Sequence, residues 1–124
     1  MRNAKPLILT VDDDQDILDF FQMVLEAEGY EVIGAATAED GLRCYKERHP
    51  DLVFVDLMME EVDAGAGLVK ELQALGSQTP IYMVTSVGDS FNQTLDYSEL
   101  GLKGVLQKPV EIKNLLRLVK SALS

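Results

Sequence analysis

Five short apolar runs alternate with five amphipathic stretches along this chain, and that alternation limits the possible folds more than any other feature. The runs are Leu7–Val11, Glu31–Ala35, Leu52–Val55, Ile81–Thr85 and Gly104–Gln107. The first, third and fourth are almost wholly apolar, as strands covered on both faces must be. Between the runs, apolar residues recur at helical spacing. Ile17, Phe20, Phe21, Val24 and Leu25 share one face ahead of Gly29. Leu42 and Tyr45 follow the capping pair Thr37 and Asp40 and stop at Pro50. Leu68, Leu72 and Leu75 mark a helix over Gly65–Gly76, and Ile112, Leu115, Leu116, Val119 and Leu123 mark one over Val110–Leu123. The stretch from Ser90 to Leu100 predicts the weakest helix, because Asn92, Thr94, Asp96 and Ser98 are poor helix formers. Strict alternation implies an α/β fold with a parallel sheet, right-handed crossovers and helices on both faces.

Composition narrows the function classes. The 124 residues fit a single domain, read here as residues 1–124. Eleven basic residues against 21 acidic ones give a net charge of −10, which repels a phosphate backbone and argues against direct nucleic-acid binding. No apolar run approaches the ~20 residues that span a bilayer, so no membrane partner is expected. Cys44 is the sole cysteine, which excludes an internal disulfide and suits a cytoplasmic, reducing location. His49 is the sole histidine, leaving no phosphohistidine relay within the chain. There is no Walker loop, no nucleophile elbow and no zinc-spaced Cys/His set.

In a parallel α/β sheet, ligands bind outside the carboxyl ends of the strands. Strand one ends in Asp12-Asp13-Asp14, strand three in Asp56, strand four in Thr85-Ser86, and strand five in Lys108-Pro109. One of Asp14 and Asp16 reads as the cap of the following helix. The remaining carboxylates converge on one edge, where each disfavours ionisation of the next. A hard divalent cation relieves that conflict, and oxygen ligands suit Mg²⁺, with Mn²⁺ as the alternative. An aspartate beside a metal, a hydroxyl and a lysine is equipped to accept a phosphoryl group.

From Pro6 to about Leu123 the sequence resembles the response-regulator receiver family of two-component signalling. The resemblance lies in Leu9-Thr10-Val11-Asp12-Asp13-Asp14, in Pro50-Asp51-Leu52-Val53-Phe54-Val55-Asp56-Leu57-Met58-Met59, in Pro80-Ile81-Tyr82-Met83-Val84-Thr85-Ser86 and in Lys108-Pro109. It implies a flavodoxin-like, doubly wound sheet of order 2-1-3-4-5 with five helices. It also implies that Asp56 is the phosphoacceptor, that Asp13 binds Mg²⁺ directly and that Asp12 holds metal-bound water. The backbone carbonyl of Met58 completes the metal set, while Thr85 and Lys108 contact phosphoryl oxygens. The implied partners are a sensor histidine kinase or phosphotransfer protein and a downstream protein target. Glu60 stands where the family usually has proline, Ala64 where it has glycine, and Val110 where phenylalanine is common. Val105 replaces the usual aromatic ring, so a signal is expected to spread through Thr85–Asp89 and the helix after Ser90. Two rival readings stay open: a dehalogenase-type phosphatase using Asp12, and the receiver portion of a longer regulator.

Overall fold

Strands β1 (Leu7–Val11) and β3 (Leu52–Asp56) are buried along their whole length, which explains why neither sequence alternates polar with apolar. They form the centre of the sheet in the computed structural model, which describes residues 5–56, 64–76, 78–86, 103–108 and 110–123. Strands β2 (Glu31–Ala35), β4 (Ile81–Ser86) and β5 (Gly104–Lys108) complete a five-stranded sheet of order 2-1-3-4-5. Every adjacent pair is parallel. The described helices are α1 (Gln15–Ala27), α2 (Ala38–Arg48), α3 (Ala64–Ala74) and α4 (Ile112–Leu123). The helix expected at Ser90–Leu100 lies outside the described residues. The architecture is the expected flavodoxin-like one.

Boundaries follow local chemistry. Asp14 caps α1 by accepting from the amide of Asp16 at 3.0 Å, and Thr37 caps α2 by accepting from Asp40 at 3.0 Å. At the other end of α2, His49 closes the helix in the left-handed region with φ of 51°. Helix α4 opens at Ile112 rather than Val110, because the carbonyl of Glu111 accepts from the amide of Leu115 and starts the helical ladder. Strands β3, β4 and β5 each run one residue further than the apolar runs suggested, to Asp56, Ser86 and Lys108.

The core has two layers. Leu9, Val11, Val53, Val55 and Met83 face α2 and α3, whereas Ile8, Leu52, Phe54, Val84 and Leu106 face α1 and α4. On the second side, Phe21 of α1 meets Phe54 edge-on, with centroids 5.1 Å apart. On the first, α2 approaches β1 through Gly41. A methyl group there would lie 2.8 Å from a methyl of Val11 and 3.3 Å from Leu68, both buried. Alanine would favour the helix by about 1 kcal/mol, but overpacking a rigid contact costs about 1–3 kcal/mol. Gly41→Ala is therefore expected to destabilise by about 1 kcal/mol, read as a lower midpoint in urea with unchanged slope. A higher midpoint would mean that α2 can move off β1.

Candidate functional site

The site is assembled by strand alternation. Successive side chains leave opposite faces of a strand. Because Ile8, Phe54 and Leu106 enter the core beneath α1 and α4, residues at even positions further along the same strands leave the sheet on that side. Those residues are Asp12, Asp56 and Lys108. Asp12 stands just past β1, yet its amide still donates to the carbonyl of Ala35 at 3.0 Å and so keeps the strand's course.

Lys108 Nζ lies 3.1 Å from Asp12 Oδ2 and 3.2 Å from Asp56 Oδ2. It hydrogen-bonds Asp56. Its approach to Asp12 is a charge contact out of hydrogen-bonding line, so among the described residues Oδ2 of Asp12 has no hydrogen-bond donor. The other oxygen, Oδ1, accepts from the amide of Asp14 at 2.9 Å. The side chains of Asp12 and Asp56 are only 2% and 5% exposed. Asp13, of opposite parity, is exposed. One carboxylate oxygen from each of Asp12, Asp13 and Asp56 falls within 4.8 Å of the others. Among the described residues, three carboxylates thus gather beside one ammonium.

Burial pushes the Asp12 carboxyl up to about 6, and the charge of Asp56 adds to the rise against the opposing pull of the Asp14 amide and Lys108. For Lys108, burial alone would lower the pKa. The two carboxylates outweigh it and hold the ammonium above its ordinary value.

Of the residues singled out in the sequence, Asp12, Asp13, Asp56 and Lys108 come together. Thr85 occupies the tip of β4, paired in register with Gln107, but its side chain lies outside the described residues. Met58, Glu60 and Pro109 also lie outside them, as does the side chain of Ala64. Two contributions were not legible in the sequence. Asp51 accepts from the amide of Leu7 at 2.8 Å and fixes the start of β1. Thr10, one turn of the alternation below Asp12, buries its hydroxyl in the core. An aspartate just before a strand and a threonine within one are both too common to have pointed there.

Residues 8–120 match the family described as the response regulator receiver domain. The chain belongs to that family. A CheY-like receiver domain protein from Methanospirillum hungatei JF-1 superposes with a TM-score of 0.86 at 32% identity, covering 97% of this chain and 94% of that one. The Vibrio cholerae chemotaxis protein CheY4 gives 0.84 at 29% identity, over 97% of this chain and 100% of that one. In sequence, the receiver is 37% identical over 119 residues to a probable transcriptional regulator, ycf27, of Porphyridium aerugineum, covering 96% of this chain and 48% of the relative. It is 34% identical over 116 residues to the alkaline phosphatase synthesis transcriptional regulatory protein PhoP of Bacillus subtilis, covering 94% and 48%. The receiver spans about half the length of these curated relatives. Both are named as transcriptional regulators, so the expectation of no direct nucleic-acid contact finds no support in the longer relatives. Among the described residues, no helix is long and apolar enough to cross a membrane.

The raised pKa of Asp12 fixes the sign of a pH effect. A carboxyl that holds its proton more tightly folded than unfolded stabilises the fold at low pH. That contribution is lost as pH rises from about 4 through about 6. With chelator present, the receiver should therefore gain stability from Asp12 as pH falls from 7 to 5. Asp12→Asn keeps an oxygen for the Asp14 amide and removes the buried charge. It should be more stable at pH 7.5 by about 1–2 kcal/mol and lose that part of the pH slope. Equal slopes in urea titrations of the two proteins would contradict the assignment.

Proposed function

We propose that this receiver is a phosphoacceptor switch that takes a phosphoryl group on Asp56 from a histidine kinase or phosphotransfer protein. The observation that carries the reading is the ammonium of Lys108 held 3.1 Å from buried Asp12 and 3.2 Å from buried Asp56. A carboxylate oxygen of Asp56 attacks phosphorus as the bond to the donor's nitrogen, or to the oxygen of an acyl phosphate, breaks with its electron pair. Lys108 pairs with an oxygen of the transferring group, relieved of part of its hold on Asp12. Asp14 keeps Asp12 oriented through its backbone amide.

The donor set fits Mg²⁺, with Mn²⁺ as the alternative: hard carboxylate oxygens, close together, one of them on Asp12 without a hydrogen-bond donor. Asp12, Asp13 and Asp56 would hold the ion, joined by the Met58 carbonyl as the family resemblance implies. A bound ion would supply the positive charge that lets the carboxylates and the transferring oxygens share one site. Thr85, at the tip of the neighbouring strand, is proposed to contact the phosphoryl group. The output is a change in protein–protein binding, or regulation of an attached domain where the receiver forms part of a longer chain. The dehalogenase-type reading would put the phosphoryl group on Asp12 instead, and Asp12 is engaged by the Asp14 amide and Lys108.

Incubation with acetyl phosphate and Mg²⁺, followed by peptide mass spectrometry, should place one phosphoryl group on Asp56. Asp56→Asn should take none. A label mapped to Asp12 would favour the phosphatase reading. Mg²⁺ at about 100 times its dissociation constant should stabilise the wild-type receiver by about 2.7 kcal/mol. Asp13→Ala should be more stable than wild type in chelator, since it removes a repelling charge, and should respond little to Mg²⁺. Equal Mg²⁺-induced shifts of the two melting curves would remove Asp13 from the ligand set.

A further inference from the structure

Strand β2 is an edge: β1 lies on one side of it, and no described strand lies on the other. The amide of Glu31 donates to the carbonyl of Pro6 at 2.9 Å, and the carbonyl of Ala35 accepts from Asp12 at 3.0 Å. In a parallel ladder, alternate residues bond the same neighbour. Glu31, Ile33 and Ala35 therefore turn their backbone groups to β1, and the N–H and C=O of Val32 and Gly34 point off the sheet. Proteins usually blunt such an edge with lysine, proline, a bulge or a covering element. Strand β2 has neither lysine nor proline, and its register with β1 is unbroken. Instead, exposed Gly34 borders a cleft of about 440 Å³ between α1 and α2. Gln15 and Gln22 of α1 line one wall, and Asp40 and Arg43 of α2 line the other. Between them lie Gly34, Ala35 and Ala36, small enough to let another backbone come close.

The charge beside this cleft is one-sided. Arg43 is paired with Asp40, and Arg48 with Glu31. Along α1, Gln15, Asp19, Gln22 and Glu26 form one exposed stripe, in which Gln15 donates to Asp19 at 2.9 Å and Gln22 to Glu26 at 3.2 Å. No cation among the described residues pairs with Asp19 or Glu26. We infer that the β2 edge takes an extended, basic segment of a partner protein as a sixth strand. Val32 and Gly34 supply the main-chain bonds. Every second side chain of the added strand faces α1, so lysine or arginine at alternate positions reaches the Asp19 and Glu26 stripe. A second copy of the chain is the poorer occupant, because it brings the same carboxylates and a net charge of −10 to the same edge. None of Asp12, Asp13, Asp56 and Lys108 lines the cleft, so this is a site apart from the strand tips.

The probe is a synthetic peptide of about seven residues alternating lysine and valine, long enough for one strand. Titrated into the chain at physiological salt and followed by residue-resolved amide shifts, it should bind saturably. The amides of Val32 and Gly34 should move most and gain protection from hydrogen exchange, while Glu31, Ile33 and Ala35, already bonded to β1, should gain little. Gly34→Pro removes an outward donor without touching the ladder and should weaken binding about two- to tenfold. Circular dichroism reports whether that variant folds. If it does not, the same peptide N-methylated on its alternate backbone amides tests the same bonds and should not bind. Asp19→Lys with Glu26→Lys should weaken binding about fivefold and bind a glutamate–valine peptide better than wild type does. An N-methylated or glutamate–valine peptide that binds the wild type as well as the probe overturns the inference. Absence of saturable binding, or shifts centred on Asp12, Asp13 and Asp56, overturns it too.

Discussion

The ammonium of Lys108, set between two buried carboxylates, is the interaction on which the acidic edge depends. Asp56 ends β3, Asp12 directly follows the adjacent β1, and both are almost fully removed from water. Two such charges without a cation would drive one to protonate, and the Asp12 carboxyl has already moved part of the way. Lys108 reaches both from the far edge strand, spanning β4 to do so. Its position therefore ties β5 to the middle of the sheet by charge as well as by hydrogen bonds. The pair is not a source of net stability, since buried ion pairs rarely repay their desolvation. It makes a costly cluster tolerable. A cluster tolerated in this way keeps the unmet demand for positive charge that a metal ion or a phosphoryl-transfer reaction can use.

Holding such a cluster requires a backbone that does not give. Strand β1 is fixed at its start by Asp51, through the Leu7 amide, and past its end by the Asp12 amide on Ala35. From one face α2 presses on it through Gly41, and from the other α1 packs through Phe21 against neighbouring Phe54. The carboxylates of Asp12 and Asp56 thus inherit the rigidity of fully buried strands, while Asp13 sits beyond that constraint. Preorganisation of this kind places charge where it develops in a reaction without reorganising the protein around it.

Much of this was legible in the sequence, for identifiable reasons. Continuous apolar runs at Leu7–Val11 and Leu52–Val55 can only be central strands, and amphipathic spacing marked the described helices. The strand tips then named Asp12, Asp13, Asp56 and Lys108, because parallel topology brings carboxyl ends together whatever the detailed packing. Strand ends were read one residue short at Asp56 and Lys108, since a charged residue looks like the start of a loop. Here each charge stays in the ladder because its partner is across the sheet. Contacts across long separations, such as Asp51 to Leu7, leave no local pattern. Neither does the close approach at Gly41, which in sequence looks only like a weak point in a helix.

The Asp12-Asp13-Asp14 triplet shows how backbone geometry divides three identical side chains among three tasks. Asp12 continues the parity of Ile8 and Thr10, so it turns inward beneath the core side of the sheet and meets Lys108. Asp13 has the opposite parity and turns to solvent. Asp14 has left the strand and caps α1, its own amide meanwhile bonding Asp12. Moving the triplet one residue towards the C-terminus would take the aspartate away from position 12, where it meets Lys108. The chemistry of this edge is therefore a property of register. The same three residues one step along the strand would make a solvated turn.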